Sequence, residues 1–215
     1  MKKVIILALC CAFFQVSTKA QTFKWGIRAG LSTPDVKPGD LNPIEIKNNA
    51  QSFVLKVEDA NYGFHGGLWA RARFGDFMIQ PEVVFNTNKV TYKSSNLLNG
   101  RTIDSLVRSE SFQNLDIPFM LGYKLGGIRF MAGPVGHLHI SNSSELTNIA
   151  GFSEKFATIK FGFQAGLGLD FGGLGLDLRY EGNFSKFGDH INIAGKQYDF
   201  AANPSRLIVS MAIGF

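Results

Sequence analysis

Two histidines, His137 and His139, come nearest in this sequence to a pair that could do chemistry. They stand two positions apart in a stretch that alternates apolar and polar residues, so in a strand both imidazoles would share the polar face. Such a pair suits a metal ion or a proton relay. The sequence shows no third ligand beside them. We therefore predict no metal site and no cofactor.

A serine-rich segment, 141–144, follows the histidines and suggests a Ser–His hydrolase of the kind found in lipid-modifying barrels. The sequence has no Gly-x-Ser-x-Gly elbow to present such a serine. Gly166-Leu-Gly168 is not followed by a helical pattern and so does not predict a nucleotide-binding loop. We predict no catalytic residues and a protein that is not an enzyme. The enzymatic alternative is a hydrolase or acyltransferase that uses His137 or His139.

The first 20 residues have the layout of a secretory signal peptide. Lys2 and Lys3 precede the apolar run Val4–Phe14, and small residues lead to Ala20. Both cysteines of the chain lie in this leader, which leaves residues 21–215 without a disulfide or a thiolate ligand. Of the formal net charge of +5, three charges lie in the leader at Lys2, Lys3 and Lys19, and the rest of the chain has no basic stripe, so we expect no nucleic-acid partner.

Residues 21–215 form one domain in which the alternation of apolar and polar residues predicts eight strands. The segments are 23–31, 62–74, 77–86, 114–125, 128–140, 159–171, 174–184 and 207–215. Gly75-Asp76, Gly126-Gly127 and Gly172-Gly173 predict tight two-residue hairpin turns. Between these hairpins we expect long polar loops at 33–58, 93–109, 141–157 and 188–204.

Tight turns at one end and long loops at the other are typical of outer-membrane barrels, with the turns in the periplasm and the loops outside the cell. The predicted fold is therefore all-β, an eight-stranded antiparallel up-and-down transmembrane β-barrel. A soluble barrel would turn its apolar face inward, but the many bulky apolar side chains would overfill eight strands. We therefore expect the apolar face to meet lipid and the polar face to line the lumen.

Charged residues of both signs fall on the predicted inward face, and buried charges must pair. The inward-facing set is Arg28, Arg71, Arg73, Glu82, Asp116, Lys124, Arg129, Lys160, Asp170, Asp177, Arg179, Glu181 and Arg206. We predict that this lumen polar network plugs the barrel, since wide aqueous pores need ~16–18 strands. A small-solute porin is the alternative.

Several short segments resemble the PorT-like outer-membrane β-barrel family. They are Trp25-Gly-Ile-Arg-Ala-Gly-Leu31, Leu115-Asp-Ile-Pro-Phe-Met-Leu121, Ala132-Gly-Pro-Val-Gly136, Ala165-Gly-Leu-Gly-Leu-Asp170, Leu176-Asp-Leu-Arg-Tyr180 and the Ala20-Gln21 junction. The resemblance implies an integral outer-membrane protein of a Gram-negative cell, without known catalytic residues. Some members of that family assist protein secretion, which implies a structural or accessory role in envelope transport.

The last residue, Phe215, is similar to the terminal signal that barrel-assembly machinery recognises in its clients. The expected partners are therefore outer-membrane lipid, that machinery, and other envelope or secretion proteins. We expect the loops, such as 33–58, to meet the protein partners.

Overall fold

The structure is a computed structural model, and it describes most of the chain beyond the leader. The described residues are 22–33, 42–48, 51–148, 152–154, 159–186, 191–193, 195–198, 200 and 203–215. The signal peptide predicted for residues 1–20 lies outside them. No helix in this described part of the chain is long and apolar enough to cross a membrane.

Thirteen strands and one 3₁₀ turn make up the described fold. The strands are β1 Thr22–Ser32, β2 Ile44–Asn48, β3 Gln51–Ala60, β4 Gly63–Phe74, β5 Phe77–Leu98, β6 Arg101–Leu125, β7 Ile128–Ser144, β8 Phe152–Glu154, β9 Ile159–Phe171, β10 Leu174–Asn183, β11 Ile191–Ile193, β12 Lys196–Tyr198 and β13 Ser205–Gly214, and the 3₁₀ turn is Glu145–Asn148.

Eight of these strands close into a ring, in the order β1-β4-β5-β6-β7-β9-β10-β13, with every pairing antiparallel. The eight-stranded up-and-down barrel is therefore confirmed. The three predicted hairpin turns are also confirmed at 75–76, 126–127 and 172–173. Gly75, Gly126 and Gly172 have φ of +64°, +60° and +54°, a conformation that glycine adopts without steric cost. We call this side of the barrel the turn end.

The prediction of long polar loops at the opposite end needs correction, because most of their described residues lie in strands or in the 3₁₀ turn. Residues 93–109 are a hairpin, because β5 and β6 stay paired as far as Leu98 and Arg101. The stretch 33–58 contains β2 and most of β3, 141–157 contains the end of β7, the 3₁₀ turn and β8, and 188–204 contains β11 and β12. The alternation of apolar and polar residues is short or absent in these strands, so it does not distinguish them from loops.

These additional elements form a structured cap with its own hydrophobic core. We define the cap as β2, β3, β8, β11, β12, the 3₁₀ turn, Phe200 and the part of β5 and β6 from Val90 to Phe112. Its buried apolar residues are Ile44, Leu55, Val57, Ala60, Val90, Tyr92, Phe112, Leu146, Ile191, Ile193 and Phe200. The rings of Tyr92 and Phe200 stack with centroids 6.5 Å apart. Burial of apolar surface thus orders the region beyond the ring.

The ring has the opposite arrangement, with apolar side chains outside and charged ones inside. Phe23, Phe77 and Phe161 are 67%, 67% and 59% exposed on its outer surface, whereas Arg129 and Glu181 are 0% exposed within it. A water-soluble barrel would hide the first group and solvate the second. The inner face is not wholly polar, because Met78, Met120 and Met131 pack together inside as a buried cluster.

Candidate functional site: a cross-braced charged interior

The charged interior follows directly from strand geometry, because alternate side chains point to opposite faces. Glu82 of β5, Asp116 of β6, and Asp177 and Arg179 of β10 all point inward, and each is at most 3% exposed. An unpaired charge buried to this extent would cost free energy, so the inward-facing charged side chains form ion pairs.

The centre of the interior is a bidentate ion pair between Arg179 and Glu82. Arg179 Nη2 lies 2.7 Å from Glu82 Oε1, and Nη1 lies 3.0 Å from Oε2. Three strands separate β5 from β10 in either direction around the ring, so this pair spans the full width of the barrel. Arg28 also pairs with Glu82, and Gln80 Nε2 donates to Glu82 Oε1 at 2.6 Å.

A second brace, nearer the cap, links β13 to β6, which also lie opposite each other. Arg206 Nη2 lies 2.8 Å from Asp116 Oδ2 and 2.8 Å from Glu181 Oε1. His137 Nδ1 lies 2.7 Å from Asp116 Oδ1. One guanidinium group thus contacts two carboxylates, and one of those carboxylates orients a histidine.

Asp116, His137 and Glu181 also form a set of metal-type donors. Their ligand atoms lie within 4.8 Å of one another. Imidazole and carboxylate donors are those that zinc uses. Here Arg206 already contacts both carboxylates, so a cation would have to displace that guanidinium group. The geometry therefore fits an ion-pair cluster better than a metal centre.

A third brace crosses the ring near the turn end. Arg71 of β4 lies 3.4 Å from Asp170 of β9, and these strands are again opposite. Asp170 also receives Lys124 Nζ at 2.9 Å and Arg129 Nε at 2.8 Å. Arg129 Nη2 lies 2.9 Å from Asp177, which in turn contacts Arg179, so the third brace is continuous with the central one.

These ion pairs nearly neutralise one another. Their members, here called the interior network, are Arg28, Arg71, Lys124, Arg129, Arg179, Arg206, Glu82, Asp116, Asp170, Asp177 and Glu181. Six cations face five carboxylates, so almost every charge has a partner of opposite sign. Removing one member would leave a buried charge uncompensated.

Glycines leave room for the large guanidinium groups. A Cβ atom at Gly168 would fall 2.6 Å from Cζ of Arg129, and one at Gly175 would fall 3.1 Å from Nη2 of the same arginine. A cavity beside the second brace, lined in part by His65 and Arg206, has a volume of about 20 Å³. That is room for about one water molecule.

The two remaining residues of the predicted lumen set are Arg73 and Lys160. Arg73 sits by the turn, where its Nε donates to the carbonyl of Gly75 at 3.0 Å. Lys160 of β9 lies opposite His137 in the β7–β9 register. Phe215 is 64% exposed on the outer surface and closes the ring, since its backbone N–H donates to the carbonyl of Trp25 at 2.8 Å.

Sequence reasoning missed the neutral polar residues that complete the network. Gln164 Nε2 donates to Glu181 at 2.7 Å, and Ser210 Oγ accepts from Arg28 Nη2 at 2.6 Å. Asn86 Nδ2 donates to Asp116 at 3.3 Å. Their inward position in the strand alternation could have identified them, because any polar residue of that parity faces the charges.

The pattern of an apolar exterior, a charged interior and tight turns at one end is that of an outer-membrane barrel. A family model described as outer membrane protein beta-barrel domain matches residues 15–188. The chain belongs to this family. It is an integral outer-membrane protein, and the turn end of such barrels faces the periplasm while the opposite end faces the outside.

No curated protein matches the sequence. Among solved structures, the outer membrane protease OmpT from Escherichia coli is similar, with a TM-score of 0.42 and 7% sequence identity. The match covers 93% of this chain and 99% of that chain. A likeness at this level transfers no activity to the present protein.

Proposed function

We propose that the protein is a non-enzymatic accessory component of envelope transport or protein secretion, and that its cap binds a protein partner outside the cell. The observation that carries this proposal is the combination of a braced interior with a structured cap. The braces leave little room for a solute to pass through the barrel, whereas β5 and β6, with 22 and 25 residues, extend far beyond the ~9–11 residues that a strand needs to cross a bilayer.

The cap presents an open strand edge. β7 pairs with β6 only from Glu110 towards the turn end. From Arg101 to Ser109, β6 therefore has β5 as its only ladder partner among the strands that the structure describes. On this segment Ile103 and Val107 are each 63% exposed. Towards Ser109 this edge meets the 3₁₀ turn, since the Ser109 N–H donates to Glu145 Oε2 at 2.8 Å. The exposed apolar side chains on the rest of the edge favour the addition of a strand from another protein.

The resemblance to the PorT-like family supports a role in secretion, and it brings two further proposals with it. Residues 1–20 act as a cleaved signal peptide, and Phe215 acts as the assembly signal. Loss of processing in a variant with Ala20→Arg, assessed by the mass of the mature protein, tests the first. Failure of a Phe215→Ser variant to reach the outer membrane tests the second.

Site-specific photocrosslinking in intact cells tests the binding role. We expect a crosslinker at position 103 or 107 to capture a defined partner, and one at Lys56, an exposed position of β3, to capture none. Deletion of the gene should cause exported proteins to accumulate in the periplasm, and an Ile103→Lys/Val107→Lys double variant should reproduce that defect. An unchanged set of exported proteins in the deletion strain would contradict the secretion role.

A lipid-modifying hydrolase is the second candidate, and the Asp116–His137 contact favours it. A carboxylate on Nδ1 orients an imidazole so that Nε2 can act as a general base. His137 Nε2 faces Glu181 Oε1 at 3.8 Å. Replacing His137 and His139 by alanine would change the membrane lipid profile if this candidate were correct. An unchanged profile in a correctly folded double variant would eliminate it.

A further inference from the structure

The turn end of the barrel contains a cavity that the interior network does not fill. Its volume is about 230 Å³, more than ten times that of the cavity beside the second brace. Lys24, Trp69, Arg71, Lys124 and Asp170 contribute to its lining, together with glycines of the β9–β10 turn. In an outer-membrane barrel this end opens to the periplasm.

The charges around this cavity do not balance. Its lining holds three cations, Lys24, Arg71 and Lys124, and one carboxylate, Asp170, which leaves a surplus of two positive charges. Asp170 is shared among Lys124, Arg129 and, at 3.4 Å, Arg71, so this single carboxylate cannot compensate all of these cations. Lys24 lies directly opposite Arg71 in the β1–β4 register and makes no ion pair with any residue that the structure describes. Like charges placed side by side repel unless an anion lies between them.

The cavity is lined by glycines and by a tryptophan side chain that is held in place. Trp69 Nε1 donates to the carbonyl of Ile27 at 3.2 Å, which holds the indole across the barrel wall. The guanidinium carbon of Arg71 lies 4.8 Å from the centre of the indole ring, so Trp69 orients that cation. A Cβ atom at Gly214 would fall 2.9 Å from the indole, so a glycine at this position makes room for the Trp69 ring.

We propose that this cavity is a binding site for an oxyanion, a phosphate or a carboxylate group presented from the periplasm. Lys24 and Arg71 contact the anion, Lys124 adds positive charge from the far wall, and Trp69 positions Arg71. A doubly charged oxyanion would match the surplus of two positive charges. The source of the group is either a phosphate-bearing or a carboxylate-bearing molecule of the periplasm.

The two tryptophans of the chain allow a direct test. Trp25 lies on the lipid-facing surface at 53% exposure, so a Trp25→Phe variant leaves Trp69 as the only reporter. The purified protein in detergent micelles is titrated with inorganic phosphate and, separately, with succinate, at an ionic strength held constant with sodium chloride. We expect a saturable change in Trp69 emission. Tighter binding of one anion identifies its class as the source, and equal binding supports a general oxyanion site.

A Lys24→Gln variant in the same background should bind about tenfold more weakly, because it loses one charge-assisted contact. Lys24 is exposed, so the variant keeps the fold, which circular dichroism verifies. Lys56→Gln, the same change of charge in the cap, should bind as the parent does. The proposal is overturned if neither anion gives a saturable change, or if Lys24→Gln binds as tightly as the parent.

Discussion

The barrel interior and the cap both enclose a small space, but charged side chains fill the first and apolar side chains fill the second. Inside the ring, Arg179 and Glu82 are buried at 1% and 2% exposure and held by ion pairs. In the cap, Leu55 and Tyr92 are each 0% exposed and packed among apolar residues.

The difference follows from what surrounds each region. The outer face of the ring must be apolar to meet lipid, and strand alternation then leaves the inner face for polar side chains. The cap lies in water, so its strands turn their apolar faces inward as in a soluble domain. The same chain therefore buries charged side chains in the ring and apolar side chains in the cap.

The substitution with the largest expected loss of stability removes the carboxylate at the centre of the interior network. Glu82→Ala leaves Arg28 and Arg179 without their main partner and should lower the free energy of unfolding by about 3–5 kcal/mol. Urea unfolding in detergent micelles measures it. The control is Glu45→Ala in the cap, whose ion pair with Lys47 is 53–73% exposed and should contribute less than about 1 kcal/mol. Equal losses for both variants would contradict a cross-braced interior.

The next effect concerns the cap core and its independence from the ring. Leu55→Ala should cost about 2–5 kcal/mol locally, because it opens a cavity among apolar neighbours. Limited proteolysis should then cut the cap while the ring stays intact, whereas Lys56→Ala, an exposed neighbour in the same strand, should leave the cap resistant. If Leu55→Ala unfolded the ring and cap together, the two regions would be one cooperative unit.

A smaller loss of stability should distinguish the inner face of β4 from its outer face. A Cβ atom at Gly67 would fall 2.7 Å from Cα of Val84, whereas one at Gly66 would have its nearest neighbour 3.8 Å away. We expect Gly67→Ala to destabilise the barrel by about 1–3 kcal/mol and Gly66→Ala to be neutral. Unfolding midpoints of both variants, measured side by side, provide the comparison, and an equal response would show that the inner face is not tightly packed.

The smallest expected effect is the change in barrel stability with salt concentration. The ion pairs Arg179–Glu82 and Arg206–Asp116 are at most 5% exposed, and mobile ions screen buried pairs weakly. Raising sodium chloride from about 0.1 M to about 1 M, a range over which the Debye length falls from about 10 Å to about 3 Å, should leave the urea midpoint of the barrel unchanged. A marked fall in that midpoint would mean that water and ions reach the network.

The sequence was sufficient for the ring but not for the cap. Segments such as 159–171 alternate strictly, because one face meets lipid and the other meets charge, and that period is readable. Residues 101–107 are exposed on both faces of β6, so no period marks them as a strand. The alternation of Phe53, Leu55 and Val57 was present in the sequence but too short to separate β3 from a loop.

For the interior, the sequence predicted which side chains face inward but not which of them meet. Asp116 and Arg206 are 90 positions apart, and their contact depends on how the ring closes. The joint engagement of Asp170 by Arg71, Lys124 and Arg129 depends in the same way on the stagger between strands. Strand parity alone contains no information on that stagger.

The most direct test of the central claim, that three ion-pair braces close the barrel, is planar-bilayer recording of the purified protein. Insertion is verified first with a protease added on the side opposite the cap, which should leave the ring uncleaved. The account predicts a silent baseline at all applied voltages. Discrete, reproducible conductance steps would contradict it, because they would require a continuous aqueous path past Arg179 and Glu82.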